Sequence, residues 1–190
     1  MRKAGLASLA FFYFDFRDKE KTGLRGLLSS LLAQLCHQSD PYCDILSKFY
    51  SEHAKGQRRP SDDGLVGCLK DLINLPGQAP VYIIVDALDE CSDTSAVSSR
   101  AEVLKLLKEL IEFQFPNLHI CVTSRPEADI KDGLDPLIPL RVSLHDEKGQ
   151  KTDIDNYIKT VINTDSRNRG WKAEHKQMVI EVLTKKANGM

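Results

Sequence analysis

A short apolar segment that runs directly into a group of acidic residues constrains this sequence more than any other feature. Residues 81–85 read Val-Tyr-Ile-Ile-Val, a composition typical of a buried strand. Three carboxylates follow at once: Asp86, Asp89 and Glu90. A second apolar segment, residues 118–123, ends in hydroxyl residues. Strands that are apolar throughout and separated by helices indicate a parallel sheet covered on both sides.

The composition is typical of a soluble protein of one domain or slightly more. The 190 residues are 42% hydrophobic and 28% charged, and the net charge of −1 gives no reason to expect nucleic acid or a membrane as a partner. The five cysteines are scattered without a C-x-x-C pair, so neither a zinc site nor a disulfide framework is expected. A reducing, cytoplasmic location is the simpler expectation.

Helical and strand patterns alternate along most of the chain. Leucine spacing predicts a helix over residues 24–37, Asp40 is predicted to cap a second helix, and Ser61 a third. A further helix is predicted over residues 102–115, which ends before Pro116. Four strands are predicted, in chain order residues 9–14, 81–85, 118–123 and 138–144.

The pattern becomes purely helical from about Asp146 onward. Helices are predicted from about Thr152 and over residues 171–187. The sequence therefore predicts an α/β domain over residues 1–145 and the start of a helical subdomain over residues 146–190.

The strand ends predict a phosphate-directed site, because function in a parallel sheet collects at the carboxyl ends of its strands. Asp86 would hold Mg²⁺ directly or through water, and Asp89 or Glu90 would accept a proton from an attacking water. Arg125 follows the neighbouring strand, and its forked, permanently charged side chain suits a phosphate. The alternatives are a solvated acidic turn and an arginine that only pairs with a carboxylate such as Asp89.

These two strand ends resemble the motifs of a known family. Residues 86–90, Asp-Ala-Leu-Asp-Glu, look like the Walker B motif of NACHT-type signalling NTPases, and residues 123–126, Thr-Ser-Arg-Pro, look like their sensor 1. Residues 11–18 and 24–35 resemble the second strand and following helix of that domain. Within this class the chain is most similar to the nephrocystin-type P-loop domains of large fungal NOD-like proteins, which often precede repeats.

The resemblance implies a switch that binds ATP or ADP together with Mg²⁺. By matching position, Asp86 would organise the Mg²⁺, and Asp89 and Glu90 would position or activate a water molecule. Arg125 would contact the γ-phosphate, with Ser124 in the same nucleotide-binding motif. The implied partners are the nucleotide and either other NACHT-type domains or a larger parent with repeats.

The sequence departs from this family at the phosphate-binding loop, G-x-x-x-x-G-K-S/T, which these residues do not contain. In the family that loop and the first strand precede the strand seen here at residues 9–14. The first strand would lie between the strands at residues 118–123 and 138–144. We therefore expect a fragment of a P-loop NTPase-like fold that neither binds nor hydrolyses ATP by itself. A non-catalytic interaction fragment and an unrelated α/β hydrolase that uses Asp86 remain as alternatives.

Overall fold

The structure, a computed structural model, describes residues 6–91, 99–143 and 148–187. It divides into two compact units, Met1–Ile138 and Pro139–Met190. Asp146, where the sequence predicts the boundary, lies outside the described residues, so that boundary stays a prediction.

Among the described residues of the first unit, three parallel strands form a sheet. They are β1 (Ser8–Tyr13), β2 (Val81–Asp86) and β3 (Leu118–Val122), and they lie in the order β1-β2-β3. The register pairs Tyr13 with Asp86 and Val85 with Val122. The carboxyl ends of all three strands therefore meet at one end of the sheet, and three of the four predicted strands are confirmed.

The helices of this unit bury apolar side chains in one core together with the sheet. They are α1 (Leu24–Cys36), α2 (Asp40–Glu52), α3 (Asp62–Ile73), α4 (Ser99–Glu112) and α5 (Ala128–Leu134). The six leucines of α1 recur at helical spacing and are all buried: Leu24, Leu27, Leu28, Leu31, Leu32 and Leu35. They belong to one core cluster that also contains buried side chains of β1, β2, α3 and α4.

Two predicted helix starts have different outcomes. Ser61 caps α3 as predicted, since its hydroxyl accepts a hydrogen bond from the Gly64 amide at 3.1 Å. Asp40 is not the cap of α2, because the preceding Ser39 holds the extended cap conformation and Asp40 lies in the first turn. There its charge still favours the helix, because an acidic side chain complements the amino end of the helix dipole.

The predicted fourth strand is not formed by residues 138–143, and Leu144 lies outside the described residues. Pro139 supplies no amide for a ladder hydrogen bond. Leu140 and Val142 are 77% and 61% exposed, so the apolar pattern there does not correspond to a buried strand.

Only one face of the sheet is covered by the described residues, so the expected burial on both sides is wrong for this part of the chain. Along β2, Val81, Ile83 and Val85 are buried, whereas Tyr82 and Ile84 are 40% and 36% exposed. We call the second side the open face and define it by its exposed side chains: Phe11, Tyr13, Tyr82, Ile84, His119 and Cys121.

The outer edge of β1 is closed by Gln34 of α1 and by Gln38, which lies just past the end of that helix. The Gln38 amide accepts from the Leu9 N–H at 2.9 Å and donates to the Leu9 carbonyl at 2.8 Å. Gln34 does the same with Phe11, at 3.1 and 2.7 Å. Each glutamine thus pairs with the strand as a neighbouring backbone would.

The outer edge of β3 has no such cover from the part of the chain that the structure describes. Thr123 donates its N–H to the Val85 carbonyl at 2.9 Å, so alternate residues of β3 face β2. The N–H and C=O groups of Ile120 and Val122 therefore point away from the sheet. Within the described ranges, no residue hydrogen-bonds to them.

The second unit contains a helical pair. Helix α6 spans Lys148–Thr164 and α7 spans Ala173–Ala187, and each contributes one buried isoleucine, Ile162 and Ile180. Helix α7 starts two residues later than predicted, after Trp171. Among the described residues, no helix is both long and apolar enough to cross a membrane.

Candidate functional site at the carboxyl ends of the strands

Asp86 and Thr123 are joined at the carboxyl end of the sheet. Asp86 is the last residue of β2, and Thr123 directly follows β3. The Thr123 hydroxyl donates to Oδ1 of Asp86 and accepts from the Ala87 N–H at 3.1 Å. This single hydroxyl therefore fixes both the carboxylate and the backbone that leaves β2.

The backbone turns sharply after Asp86. Ala87 has φ 53° and ψ 47°, a left-handed conformation that non-glycine residues seldom adopt. The Leu88 N–H then donates to the Thr123 carbonyl at 3.0 Å, and the Leu88 side chain is fully buried. This anchor starts a short 3₁₀ turn, Leu88–Glu90, that carries the second and third carboxylates.

Asp89 holds the segment that follows β3. Its Oδ1 accepts from the Arg125 N–H at 3.0 Å, and its Oδ2 lies 3.5 Å from Nε of Arg125. The Asp89 side chain is only 10% exposed, whereas that of Arg125 is 78% exposed. Most of the guanidinium is therefore open to solvent. Pairing with Asp89 is the alternative role that the sequence analysis gave for Arg125.

Glu90 lies near a second arginine, Arg17, in the segment after β1. The negative charge of Glu90 contributes to a raised pKa of Arg17, although the larger cause is the hydrogen-bonded carboxylate of Asp15. Arg17 donates to both oxygens of Asp15, each at 2.9 Å, and holds the pKa of that carboxyl down at about 2. The segments after β1 and β2 thus bring charges of both signs to the site.

Arg100 is a site residue that sequence reasoning missed. Its guanidinium donates to the carbonyls of Asp89 at 2.7 Å and Cys91 at 3.3 Å, and forms an ion pair with Asp129 at 3.1 Å. Its side chain is only 14% exposed. Arg100 therefore fixes the backbone of the acidic turn. No local signal identifies it, because it is one charged residue in the first turn of α4.

The two hydroxyl residues after β3 have different positions. Thr123 contacts Asp86, whereas the Ser124 hydroxyl donates to the carbonyl of its neighbour Arg125 at 2.6 Å. The structure thus brings together Asp86 with Thr123 and Asp89 with Arg125. Ser124 is exposed beside this group.

The donor set fits a weakly held Mg²⁺ only in part. Mg²⁺ binds through one or two carboxylates and completes its shell with water and substrate phosphates. Oδ1 of Asp86 is taken by Thr123, and Oδ2 accepts no hydrogen bond from a described residue. Across residues 6–91, 99–143 and 148–187, no group of three or more His, Cys, Asp or Glu side chains is placed to hold a metal. Oδ2 of Asp86 is therefore the atom that would meet the ion, with water and phosphate oxygens completing its shell.

The fold and site together define a chain of the α/β class with polar residues at the carboxyl ends of parallel strands. A protein-family model described as Nephrocystin 3, N-terminal matches residues 1–125, about two-thirds of the sequence. The chain therefore belongs to the nephrocystin 3 N-terminal family. The matched region contains all three strands and every candidate site residue. Neither the curated proteins nor the solved structures compared with the chain include a match.

Proposed function

We propose that this chain contains the metal-and-sensor part of a nucleotide switch domain of the NACHT type. In this proposal Asp86 organises Mg²⁺, and Asp89 and Glu90 position water. Arg125, with Ser124 beside it, contacts the γ-phosphate of ATP. The observation that supports it most is the hydrogen-bonded link from Asp86 to Thr123, which joins the two motifs at the carboxyl end of the sheet.

The geometry also supports a sensor role for Arg125. Its backbone N–H is fixed by Asp89, while its guanidinium is largely exposed. Because the backbone of Arg125 is held in place and its guanidinium is exposed, the side chain can reach a phosphate without any change in the backbone of the turn. Its ion pair with Asp89 is longer than a direct hydrogen bond and involves one nitrogen, so a phosphate can compete for the guanidinium.

The 190 residues are proposed not to bind ATP tightly, and not to hydrolyse it, by themselves. The phosphate-binding loop supplies backbone amides, a lysine and a Mg²⁺-binding hydroxyl, and the sequence contains no such loop. Asp86 and Arg125 alone leave most of a triphosphate without a partner. We expect binding no tighter than about 1 mM, which corresponds to roughly 4 kcal/mol.

The test is a titration of the purified chain with Mg²⁺ and ATP, followed by backbone amide NMR. We expect small, unsaturated shifts confined to residues 86–90 and 123–125. Asp86→Asn and Arg125→Gln should remove them, and Asp63→Asn, an exposed aspartate in the first turn of α3, should not. Sub-micromolar affinity would contradict the proposed dependence on the absent loop. Shifts centred elsewhere in the chain would contradict the site.

A second function is favoured by the uncovered side of the sheet, namely association with another domain of the same type. The outward backbone groups of Ile120 and Val122 can pair with an added strand, and the open face offers aromatic side chains beside them. Residues 118–122 contain no lysine, proline or acidic residue that would discourage such pairing.

Sedimentation velocity over a range of concentrations tests this second function. We expect association that grows with concentration and is unchanged by nucleotide. Val122→Pro removes an outward N–H without removing a hydrogen bond to β2, so it should weaken association. The matched control, Val122→Thr, keeps the outward N–H and a β-branched side chain, so it should associate as the wild-type chain does. A chain that stays monomeric at every concentration would exclude this function.

A further inference from the structure

Two cysteines at the junction of α1 and α2 lie close enough to react with one another. Cys36 is the last residue of α1, and Cys43 lies in the first turn and a half of α2. Both are free thiols, and their sulfur atoms are 2.7 Å apart. A disulfide bond is about 2.05 Å long, so the two sulfurs need to approach by only about 0.7 Å.

We propose that Cys36 and Cys43 form a reversible, redox-responsive disulfide, with a peroxide as the oxidant. Cys43 is exposed and Cys36 is half-buried, so the peroxide meets Cys43 first. In a reducing compartment such a bond is transient, in contrast to the permanent bridges of secreted domains.

The reaction balances in two steps. The Cys43 thiolate attacks one peroxide oxygen, the O–O bond breaks, and a sulfenic acid and hydroxide form. The Cys36 sulfur then attacks the sulfenic sulfur; the S–S bond forms as the S–O bond breaks, and water leaves. Two thiols and one hydrogen peroxide thus give one disulfide and two waters. An external thiol reverses the reaction by exchange.

The different surroundings of the two thiols support this order. Burial, with a hydrogen bond to Cys43, raises the pKa of Cys36 to about 11, so Cys36 is almost entirely protonated at neutral pH. A protonated, half-buried thiol reacts slowly with free peroxide. It can still resolve the sulfenic acid of Cys43, because the two sulfurs are 2.7 Å apart and the thiol proton leaves with the displaced hydroxide as water. The Cys43 sulfur also lies 3.3 Å from the Cys36 carbonyl, which keeps it over the end of α1.

The bond would restrain the loop that joins α1 to α2. The residues between the two cysteines include Gln38, which closes the edge of β1 at Leu9. They also include Ser39, whose hydroxyl donates to the side chain of Gln78 at 3.1 Å. A crosslink around this short loop removes freedom from the unfolded chain and should raise the Tm by about 5 °C.

The experiment treats the purified chain with hydrogen peroxide, blocks the remaining thiols with maleimide, and maps the disulfide by peptide mass. We expect one intramolecular bridge between Cys36 and Cys43, a raised Tm, and reversal of both by dithiothreitol. Cys43→Ser should remove the bridge and the Tm rise. Cys121→Ser is the matched control, because Cys121 is the other exposed cysteine, and it should change neither.

Three outcomes would overturn the proposal. One is a bridge from Cys36 to the buried Cys68, and another is a bridge between two chains through Cys121. The third is oxidation of Cys43 to a sulfinic acid with no bridge to Cys36. Because Cys43 is exposed, Cys43→Ser is expected to fold normally, and its unchanged Tm under reducing conditions verifies this.

Discussion

The two outer edges of the sheet differ: the backbone groups along β1 are hydrogen-bonded, and those along β3 are not hydrogen-bonded to any described residue. At β1, Gln34 of α1 and Gln38 just after it hydrogen-bond to the outward N–H and C=O groups of Phe11 and Leu9. At β3, the equivalent groups of Ile120 and Val122 have no hydrogen-bond partner among the described residues. The two faces differ in the same way, since one lies under the helices and the other carries exposed aromatic rings.

This difference shows that a strand edge can be closed without another strand. A glutamine side chain ends in the same amide group as the backbone, so it can donate and accept at once. Gln34 and Gln38 are four residues apart, and they contact Phe11 and Leu9, which are two residues apart on β1. Residues two apart on a strand point their backbone groups to the same side, so both glutamines meet the outer edge. The edge of β1 is therefore protected, and β3 is the edge available for pairing.

The largest expected effect tests the difference between the two faces. Ile83 and Ile84 are neighbours on β2, but Ile83 is 1% exposed and Ile84 is 36% exposed. Ile83→Ala should lower the free energy of unfolding by about 3 kcal/mol, because it leaves a cavity in the core. Ile84→Ala should lower it by less than about 1 kcal/mol. Urea denaturation measures both, and similar losses would mean that the open face is covered.

The next effect tests the closed edge. Gln38→Leu keeps much of the side-chain volume but leaves the N–H and C=O of Leu9 without their partner. We expect a loss of about 1–2 kcal/mol in the free energy of unfolding, since these groups are partly buried. Gln57→Leu in an exposed loop is the control and should change it by less than about 0.5 kcal/mol. Equal losses of stability in the two variants would mean that Gln38 does not protect the edge of β1.

Amide hydrogen exchange compares the two edges directly. The amides of Leu9 and Phe11 should exchange roughly fivefold more slowly than those of Ile120 and Val122, because one hydrogen bond contributes about 1 kcal/mol. In Gln38→Leu, the protection of Leu9 should fall while that of Ile120 stays the same. Strong protection of Ile120 in the wild-type chain at low concentration would show that β3 is covered after all.

The smallest effect concerns the charged segment after β1. The Arg17 guanidinium lowers the pKa of Asp15 from 3.8 to about 2. The native state therefore gains stability from this pair above pH 3.8 and loses it as the pH falls towards 2. The Arg17 side chain is 76% exposed, and ion pairs this open to water contribute little, so the gain is small. A carboxyl NMR titration should give a midpoint near 2 that moves towards 3.8 in Arg17→Gln, and an unchanged midpoint would exclude the pairing.

Much of the core follows from local pattern. The leucine spacing of α1, the Ser61 cap and the three apolar strands were all predictable, because each depends on residues close in sequence. The open face was not predictable in this way. The run of residues 81–85 has the composition of a strand buried on both sides, yet its alternate side chains are exposed. Whether a face of the sheet is covered depends on residues far away in the sequence, and the composition of the strand does not show whether they pack there.

The site was predictable as a set of residues but not as a set of contacts. Asp86, Asp89 and Arg125 were singled out from their positions after strands, and the structure brings Asp89 and Arg125 together. Thr123 rather than Ser124 contacts Asp86, because that choice depends on how β3 ends beside β2. Arg100 depends on α4 packing near the acidic turn, which no spacing rule describes.

The two glutamines on β1 also set a limit on how many copies could join. If two chains pair through β3, each uses the edge that the described residues leave open, and the resulting continuous sheet ends at a glutamine-capped β1 on both sides. Assembly by strand addition is then self-terminating at two subunits related by a twofold axis, and it cannot extend into a fibre.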